Sequence, residues 1–166
     1  MTPLARAAAL AAALAPVLAA AAEPSTYTVR QLTTESALKA AQAALASCRA
    51  SGYQVAVSVV DRAGLVQVQL RDRFAGPHTI EVSANKAWTA ASTRTSTAEV
   101  QRITRPGEPL AALRSVPRIT ALAGGIPIEA GGSVLGAIGV SGAPGGEADE
   151  ACAKAGAAAI SEDLEF

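Results

Sequence analysis

Aromatic residues are scarce in this 166-residue chain, which contains two Phe, two Tyr and one Trp. A core without large rings is filled by small aliphatic side chains on elements that approach closely, as when helices pack on a sheet. Lysine is also scarce, with three in the chain, and the arginines are scattered. Without clustered cations to neutralise phosphates, we expect no nucleic-acid partner.

Metal-binding side chains are equally few, because the chain has one histidine, His78, and two cysteines, Cys48 and Cys152. A zinc site needs about four nitrogen or sulfur donors, so these three residues do not suggest one. Glu147 and Glu150 lie one helical turn apart and offer a weak carboxylate pair for iron. A solvated helix face explains that spacing better.

The first 22 residues have the three-part pattern of a secretory signal peptide. Arg6 supplies a positive charge, residues 7–18 form an apolar run too short to span a bilayer comfortably, and residues 20–22 match a small-residue cleavage site. The alternative is an uncleaved alanine-rich helix. We expect residues 1–22 to be removed on export to the periplasm or the medium, with no membrane insertion afterwards.

The mature part is predicted to be a short linker at 23–31 and a single domain at 32–166, since its length suits one ordinary domain. In an oxidising compartment, Cys48 and Cys152 are candidates for a disulfide. Both cysteines lie on the apolar stripe of a predicted helix, so a bridge forms if the two helices are neighbours. The alternative is two buried free thiols.

The hydrophobic pattern predicts an α+β fold with helices covering a five-stranded antiparallel sheet. Glycine and proline mark the breaks between elements, and Gly131-Gly132 is the tight turn between the last two strands. The predicted order is helix 33–49, strands 53–60 and 65–70, a polar loop 71–79, helices starting at 79 and 97, three strands between 119 and 141, and helix 147–163.

Five segments along the chain form a distinctive set when they are taken in order. They are Val59-Val60-Asp61-Arg62-Ala63-Gly64, Asn85-Lys86-Ala87-Trp88-Thr89-Ala90, Pro106-Gly107-Glu108-Pro109-Leu110, Gly124-Gly125-Ile126-Pro127 and Gly136-Ala137-Ile138-Gly139-Val140-Ser141-Gly142. Together these segments resemble the GlcG/HbpS-like family. The resemblance implies profilin-like α/β/α layers and a homo-oligomer. It also implies a ligand such as haem, or, as in the PduO C-terminal domain, a role beside corrinoid enzymes.

Given that resemblance, His78 is the candidate axial ligand of haem iron, because imidazole is the commonest protein donor to haem. Its loop contains Gly76-Pro77, and the helix that follows could receive a haem propionate at its N-terminal N–H groups. Phe74 shares the loop and ranks first among the aromatics that could stack on a porphyrin, ahead of Tyr53 and Trp88. Without the resemblance, a lone loop histidine is usually a solvated side chain.

Three cations flank this loop, namely Arg71, Arg73 and Lys86, and each could pair with a propionate. The alternative for each is an ordinary solvated surface charge. Gly139 lies inside an apolar strand, where glycine permits close packing, and it is also a candidate to form part of the pocket wall. Its context differs from that of a phosphate-binding loop, which lies between a strand and a helix.

Together these observations predict an exported protein that binds haem or another small planar ligand. Two alternatives come from other functional classes. One is an enzyme that acts on a small organic acid, whose carboxylate Lys86 and the arginines would bind. The other is an accessory subunit of a sensor or transporter.

Overall fold

A four-stranded antiparallel sheet forms the middle layer of the protein in the computed structural model, which describes residues 24–164. The strand order is β2-β1-β4-β3, so the first and last hairpins lie side by side. β1 and β4 are the central strands and pair along their whole shared length. The strands are β1 (Ala56–Asp61), β2 (Val66–Arg71), β3 (Gly125–Ala130) and β4 (Ser133–Ser141).

The prediction of five strands was wrong, because the segment 119–122 is not a strand. Arg118 has a left-handed φ of 71°, which turns the chain over the neighbouring helix. The Thr120 N–H donates to Thr89 Oγ1 at 2.9 Å, and Thr89 Oγ1 donates to the Arg118 carbonyl at 3.2 Å. The side chain of Thr89, on α2, thus forms hydrogen bonds with this segment that a neighbouring strand would otherwise form.

Four α-helices surround the sheet, close to their predicted positions. They are α1 (Thr34–Ala50), α2 (His78–Thr93), α3 (Thr97–Ile103) and α4 (Gly146–Ala158), and short 3₁₀ turns occupy Ala111–Ser115 and Glu162–Leu164. Thr33 caps α1 by accepting from the Ser36 N–H at 3.2 Å. Gly52, with φ 79°, turns the chain after α1 into β1.

The helices lie on both faces of the sheet, which gives three layers. α1 and α4 cover one face and α2 covers the other, so alternate residues of β1 enter two separate apolar clusters. Val57 and Val59 point toward α1 and α4, while Val60 contacts the alanines of α2. These clusters contain mostly valine, isoleucine and alanine, as the scarcity of aromatics predicts.

α2 packs closely against the sheet because the strand residues that face its backbone are glycines. A Cβ added at Gly139 would collide with the backbone of α2 at Ser83 O and Ala87 N. Gly125 of β3 pairs with Gly139, and a Cβ added at Gly125 would likewise collide with the backbone of Lys86. Gly139 is therefore a packing residue at the contact between the sheet and α2.

The structure joins Cys48 of α1 to Cys152 of α4 in a disulfide, with the two Cα atoms 5.5 Å apart. The predicted signal peptide lies outside the described residues. Residues 24–33 contain no helix or strand, and Leu32 is buried in the core. Within residues 24–164, every helix is too short or too polar to cross a membrane.

Candidate functional site

A hollow of about 420 Å³ lies at one end of the sheet, between the loop that precedes α2 and the loop that precedes α4. Its volume falls within the range of about 300–1,000 Å³ that is usual for small-molecule sites. The first loop follows the edge strand β2, and the second loop follows the central strand β4. The lining consists of Gln54, Phe74, Gly76, His78, Thr79, Val82, Leu122, residues 141–146 and Asp149.

The first wall is the loop 72–77, which is held by hydrogen bonds within itself and to neighbouring segments. Buried Asp72 accepts from Arg49 Nε at 2.8 Å, and the Asp72 N–H donates to the Val55 carbonyl at 2.9 Å. Arg71 Nη1 donates to the Ala75 carbonyl, which closes the loop on itself. Thr79 Oγ1 donates to the Gly76 carbonyl at 2.6 Å. These bonds hold the loop in one conformation at the start of α2.

His78 is the first residue of α2, and its exposed imidazole lines the hollow. The ring lies directly against Gly76, where an added Cβ would stand 2.7 Å from His78 Cε1 and 2.9 Å from Nδ1. Nε2 is farther from that point, at 3.8 Å. Glycine at position 76 therefore makes room for the imidazole in this orientation.

Phe74 lines the same hollow, with 80% of its surface exposed. An apolar ring so open to solvent adds little to the stability of the core and is available to a ligand. The guanidinium of Arg73 lies 5.9 Å from the centre of the Phe74 ring. Arg73 is thus next to the pocket, although neither Arg73 nor Arg71 is among its lining residues.

The other two aromatics considered from the sequence do not line this hollow. Trp88 packs against Gly64 in the β1–β2 turn and lies beneath the guanidinium of Arg118, 4.7 Å from the ring centre. Tyr53 packs against the core of α1 and α4. Gly139 is also absent from the lining, so its role in the structure is in packing.

The second wall is the loop 142–145 with the first turn of α4. Neither α2, after Pro77, nor α4, after Gly145, has a side chain that caps its N-terminus. Two helix N-termini without a side-chain cap therefore border one hollow, and such ends favour anionic groups. In the sequence, Pro144, Gly145 and Gly146 indicate only a break before a helix, so this wall was not predicted.

Lys86 is fully buried, and this corrects both roles that the sequence suggested for it, a cation open to a propionate and a solvated surface charge. Its Nζ donates to Asp149 Oδ2 at 2.7 Å and to the Val140 carbonyl at 2.9 Å. Burial lowers the pKa of Lys86 and raises the pKa of Asp149, while the hydrogen bond between them offsets part of both shifts. Lys86 therefore lies behind the pocket, and the sequence analysis missed Asp149, which lines it.

The pair Glu147 and Glu150 borders a different hollow, between α3 and α4. Glu150 accepts from Lys154 Nζ at 2.6 Å, as expected for a charged helix face. Among residues 24–164, no three His, Cys, Asp or Glu side chains come together as a group able to hold a metal ion. The described carboxylates thus offer no ready-made iron or zinc site of their own.

The chain matches the family model described as "Haem degrading protein HbpS-like" over residues 32–158. The chain belongs to the HbpS-like family. This confirms the resemblance to the GlcG/HbpS-like group, and it is consistent with helices on both faces of an antiparallel sheet.

Several solved structures superpose closely on this chain. Klebsiella pneumoniae protein ORFY gives a TM-score of 0.82 at 30% identity, over 85% of this chain and 98% of ORFY. A double mutant of HbpS from Streptomyces reticuli gives 0.76 at 40% identity, over 89% and 98%. A complex of PduOC with haem gives 0.74 at 28% identity, over 79% and 96%.

Proposed function

We propose that this HbpS-like protein binds haem in the hollow between the α2 and α4 loops, with His78 as axial ligand. The observation that carries the proposal is the position of His78, the single histidine of the chain, in a hollow large enough for a small molecule. The haem complex of PduOC, a structural relative, supports the same class of ligand.

The residues around the hollow fit a flat, anionic, iron-containing ligand. Imidazole is a common donor to haem iron, and the exposed Phe74 ring offers an apolar surface to a porphyrin face. Arg73, beside Phe74, and the N-terminus of α2 are where we place the propionates. When bound, haem supplies an iron centre for ligation and one-electron chemistry.

Lys86 is not part of this proposal, because its ammonium already donates to Asp149 and to the Val140 carbonyl. The same contacts remove the main support for an enzyme that binds a small organic acid, since that alternative relied on a solvent-accessible Lys86. No observation among the described residues favours an accessory subunit of a sensor or transporter. Haem binding is therefore the function that the described geometry supports best.

We also propose that the protein acts after export, in the periplasm or outside the cell. Two observations support this: the signal-peptide pattern of residues 1–22 and the disulfide between Cys48 and Cys152, which persists in oxidising compartments. Expression of the full chain followed by cell fractionation tests it. We expect the mature protein in the periplasm or medium, with its N-terminus near residue 23, and a cytoplasmic protein that keeps Met1 would contradict export.

A hemin titration tests the ligand and the role of His78 together. We expect the purified protein to develop a sharp Soret band at one hemin per chain, and His78→Ala to shift that band and weaken binding. Lys39→Ala is the matched control, because Lys39 is an exposed residue of α1 in the layer that faces away from α2. A wild-type spectrum identical to that of free hemin would end the haem proposal, and an unchanged His78→Ala spectrum would end the assignment of the ligand.

Assembly into a homo-oligomer is part of the proposal, because a planar ligand in an open hollow leaves one face to solvent. Phe74, which lines the hollow, and Ile80, in the first turn of α2, are exposed and offer apolar surface to a second copy. Light scattering after size-exclusion chromatography, with and without hemin, measures the mass. A monomer under both conditions would contradict the oligomer and leave the ligand assignment standing.

A further inference from the structure

A buried ion pair connects the two helices whose first turns border the haem pocket. Lys86 of α2 has no exposed surface, and Asp149 of α4 keeps 4%. Nζ of Lys86 lies 2.7 Å from Asp149 Oδ2, and the other carboxylate oxygen, Oδ1, accepts from the Ala143 N–H at 3.0 Å. One carboxylate thus holds both the ammonium from α2 and the backbone of the second wall.

The position of the pair relates it to both walls. His78 lies eight residues before Lys86 on α2, which is about 12 Å along a rigid helix. Asp149 lies in the first turns of α4 and binds Ala143 of the facing loop. A chain of contacts therefore runs from His78 at the first wall, through α2 and the ion pair, to the loop 142–145 of the second wall.

Close packing restricts the pair to this arrangement. A Cβ added at Gly124 would stand 2.8 Å from Lys86 Nζ and 2.7 Å from Asp149 Cβ. With the Val140 carbonyl as the second acceptor for Nζ, both charged groups are bonded on several sides. A shift of either helix would break a hydrogen bond of the Lys86 ammonium, which has no exposed surface where water could replace that bond.

Stability alone does not account for such a pair. The free energy needed to remove two charges from water is about as large as the free energy gained from their attraction. Apolar residues of similar volume often stabilise a fold at least as well. We propose that Lys86 and Asp149 are positioning residues that hold the loop 142–145 at a fixed distance from His78 and so set the width of the pocket. This inference rests on the proposed function, since it assigns a role at the same site.

The test replaces both charges at once, as Lys86→Met with Asp149→Asn, so that no single charge is left buried. The matched control is Lys39→Met with Asp163→Asn, because that pair has the same 2.7 Å separation but is 55% and 51% exposed. Three properties are measured without ligand: unfolding in urea, hydrogen exchange of the backbone amides in residues 142–146 other than Pro144, and the NMR signals of the single imidazole. Hemin affinity is measured afterwards.

We expect the buried double variant to fold, to exchange the Ala143 amide about tenfold faster or more, and to bind hemin about tenfold more weakly, as the loss of a charge-assisted hydrogen bond implies. The His78 ring signals should shift, and the surface control should match the wild type in all four measurements. If the folded buried variant keeps the exchange rate, the ring signals and the affinity of the wild type, the positioning role is overturned.

A second variant, Asp149→Glu, covers the case in which the double variant does not fold. It keeps the charge and lengthens the side chain by one methylene, so it should displace the loop and change the exchange of residues 142–146. An unchanged exchange pattern overturns the proposal. If wild-type protein does not bind hemin, the haem proposal fails, while the exchange and NMR measurements still decide the positioning role.

Discussion

Removing the cross-link between α1 and α4 should destabilise the protein strongly. Cys48 and Cys152 are buried in the core and separated by 104 residues in sequence. The loop-closure entropy that such a cross-link removes from the unfolded chain corresponds to about 4.7 kcal/mol, and measured values are usually about 2–4 kcal/mol. We therefore expect reduction of this bond to lower the free energy of unfolding by about 2–5 kcal/mol.

Urea unfolding, followed by the fluorescence of the single tryptophan, Trp88, measures this loss. With a denaturant slope of about 1.5 kcal/mol per molar, a loss of about 3 kcal/mol moves the midpoint down by about 2 M. Reduced wild type isolates the cross-link, because it keeps both sulfur atoms in the core. Cys48→Ala with Cys152→Ala removes volume as well and should unfold at a still lower concentration.

Reduced protein that unfolds at the same urea concentration as the oxidised form would contradict this expectation, provided that alkylation and mass measurement verify its free thiols. That result would mean that the unfolded chain gains no freedom when the bond is broken. An equal midpoint for reduced wild type and the double alanine variant would show that only the cross-link matters, without contradicting its magnitude.

Three further substitutions separate packing from ligand binding. Gly139→Ala should lower the free energy of unfolding by about 1–3 kcal/mol or more, because the new methyl group collides with the backbone of α2. Gly76→Ala should weaken hemin binding and shift the imidazole signals, since its methyl group occupies the place of the His78 ring edge. Phe74→Ala should weaken hemin binding but change the free energy of unfolding by less than about 0.5 kcal/mol, because the ring is 80% exposed.

Urea unfolding and hemin titration on the same preparations check all three, with wild type and Lys39→Ala as references. A Gly139→Ala variant as stable as the wild type would show that α2 can move away from the sheet. Wild-type affinity for Gly76→Ala would separate the orientation of the imidazole from binding. A Phe74→Ala variant that loses stability instead of affinity would make that ring a structural residue.

The sequence predicted the helices and the two hairpins well because their signals are local. Thr33 and Gly52 mark the ends of α1, and Gly131-Gly132 marks the turn between β3 and β4. The error at 119–122 has a different origin. Four apolar and β-branched residues in a row indicate a strand, but whether they pair depends on Thr89, which lies on another element and takes their hydrogen bonds.

The candidate site was predictable on one side of the pocket and hidden on the other. Phe74, in the loop before α2, and His78, the first residue of α2, are four residues apart, so the sequence placed them together. Lys86 looked like a surface cation because lysine is seldom buried, and its partner Asp149 is 63 residues away. No periodicity or spacing connects two such residues, so their pairing depends on how α4 packs against the rest of the fold.

The strand order has a consequence for how the chain reaches its native state. β1, near the start of the domain, finds its second neighbour in β4, and Cys48 finds Cys152, only when the C-terminal third is available. Contacts so distant in sequence slow folding, because a long loop must close before they form. We therefore expect the N-terminal half of the chain to remain unfolded until β4 and α4 are present. Fragments that end before residue 133 lack both elements, so they should stay unfolded and be cleaved by proteases.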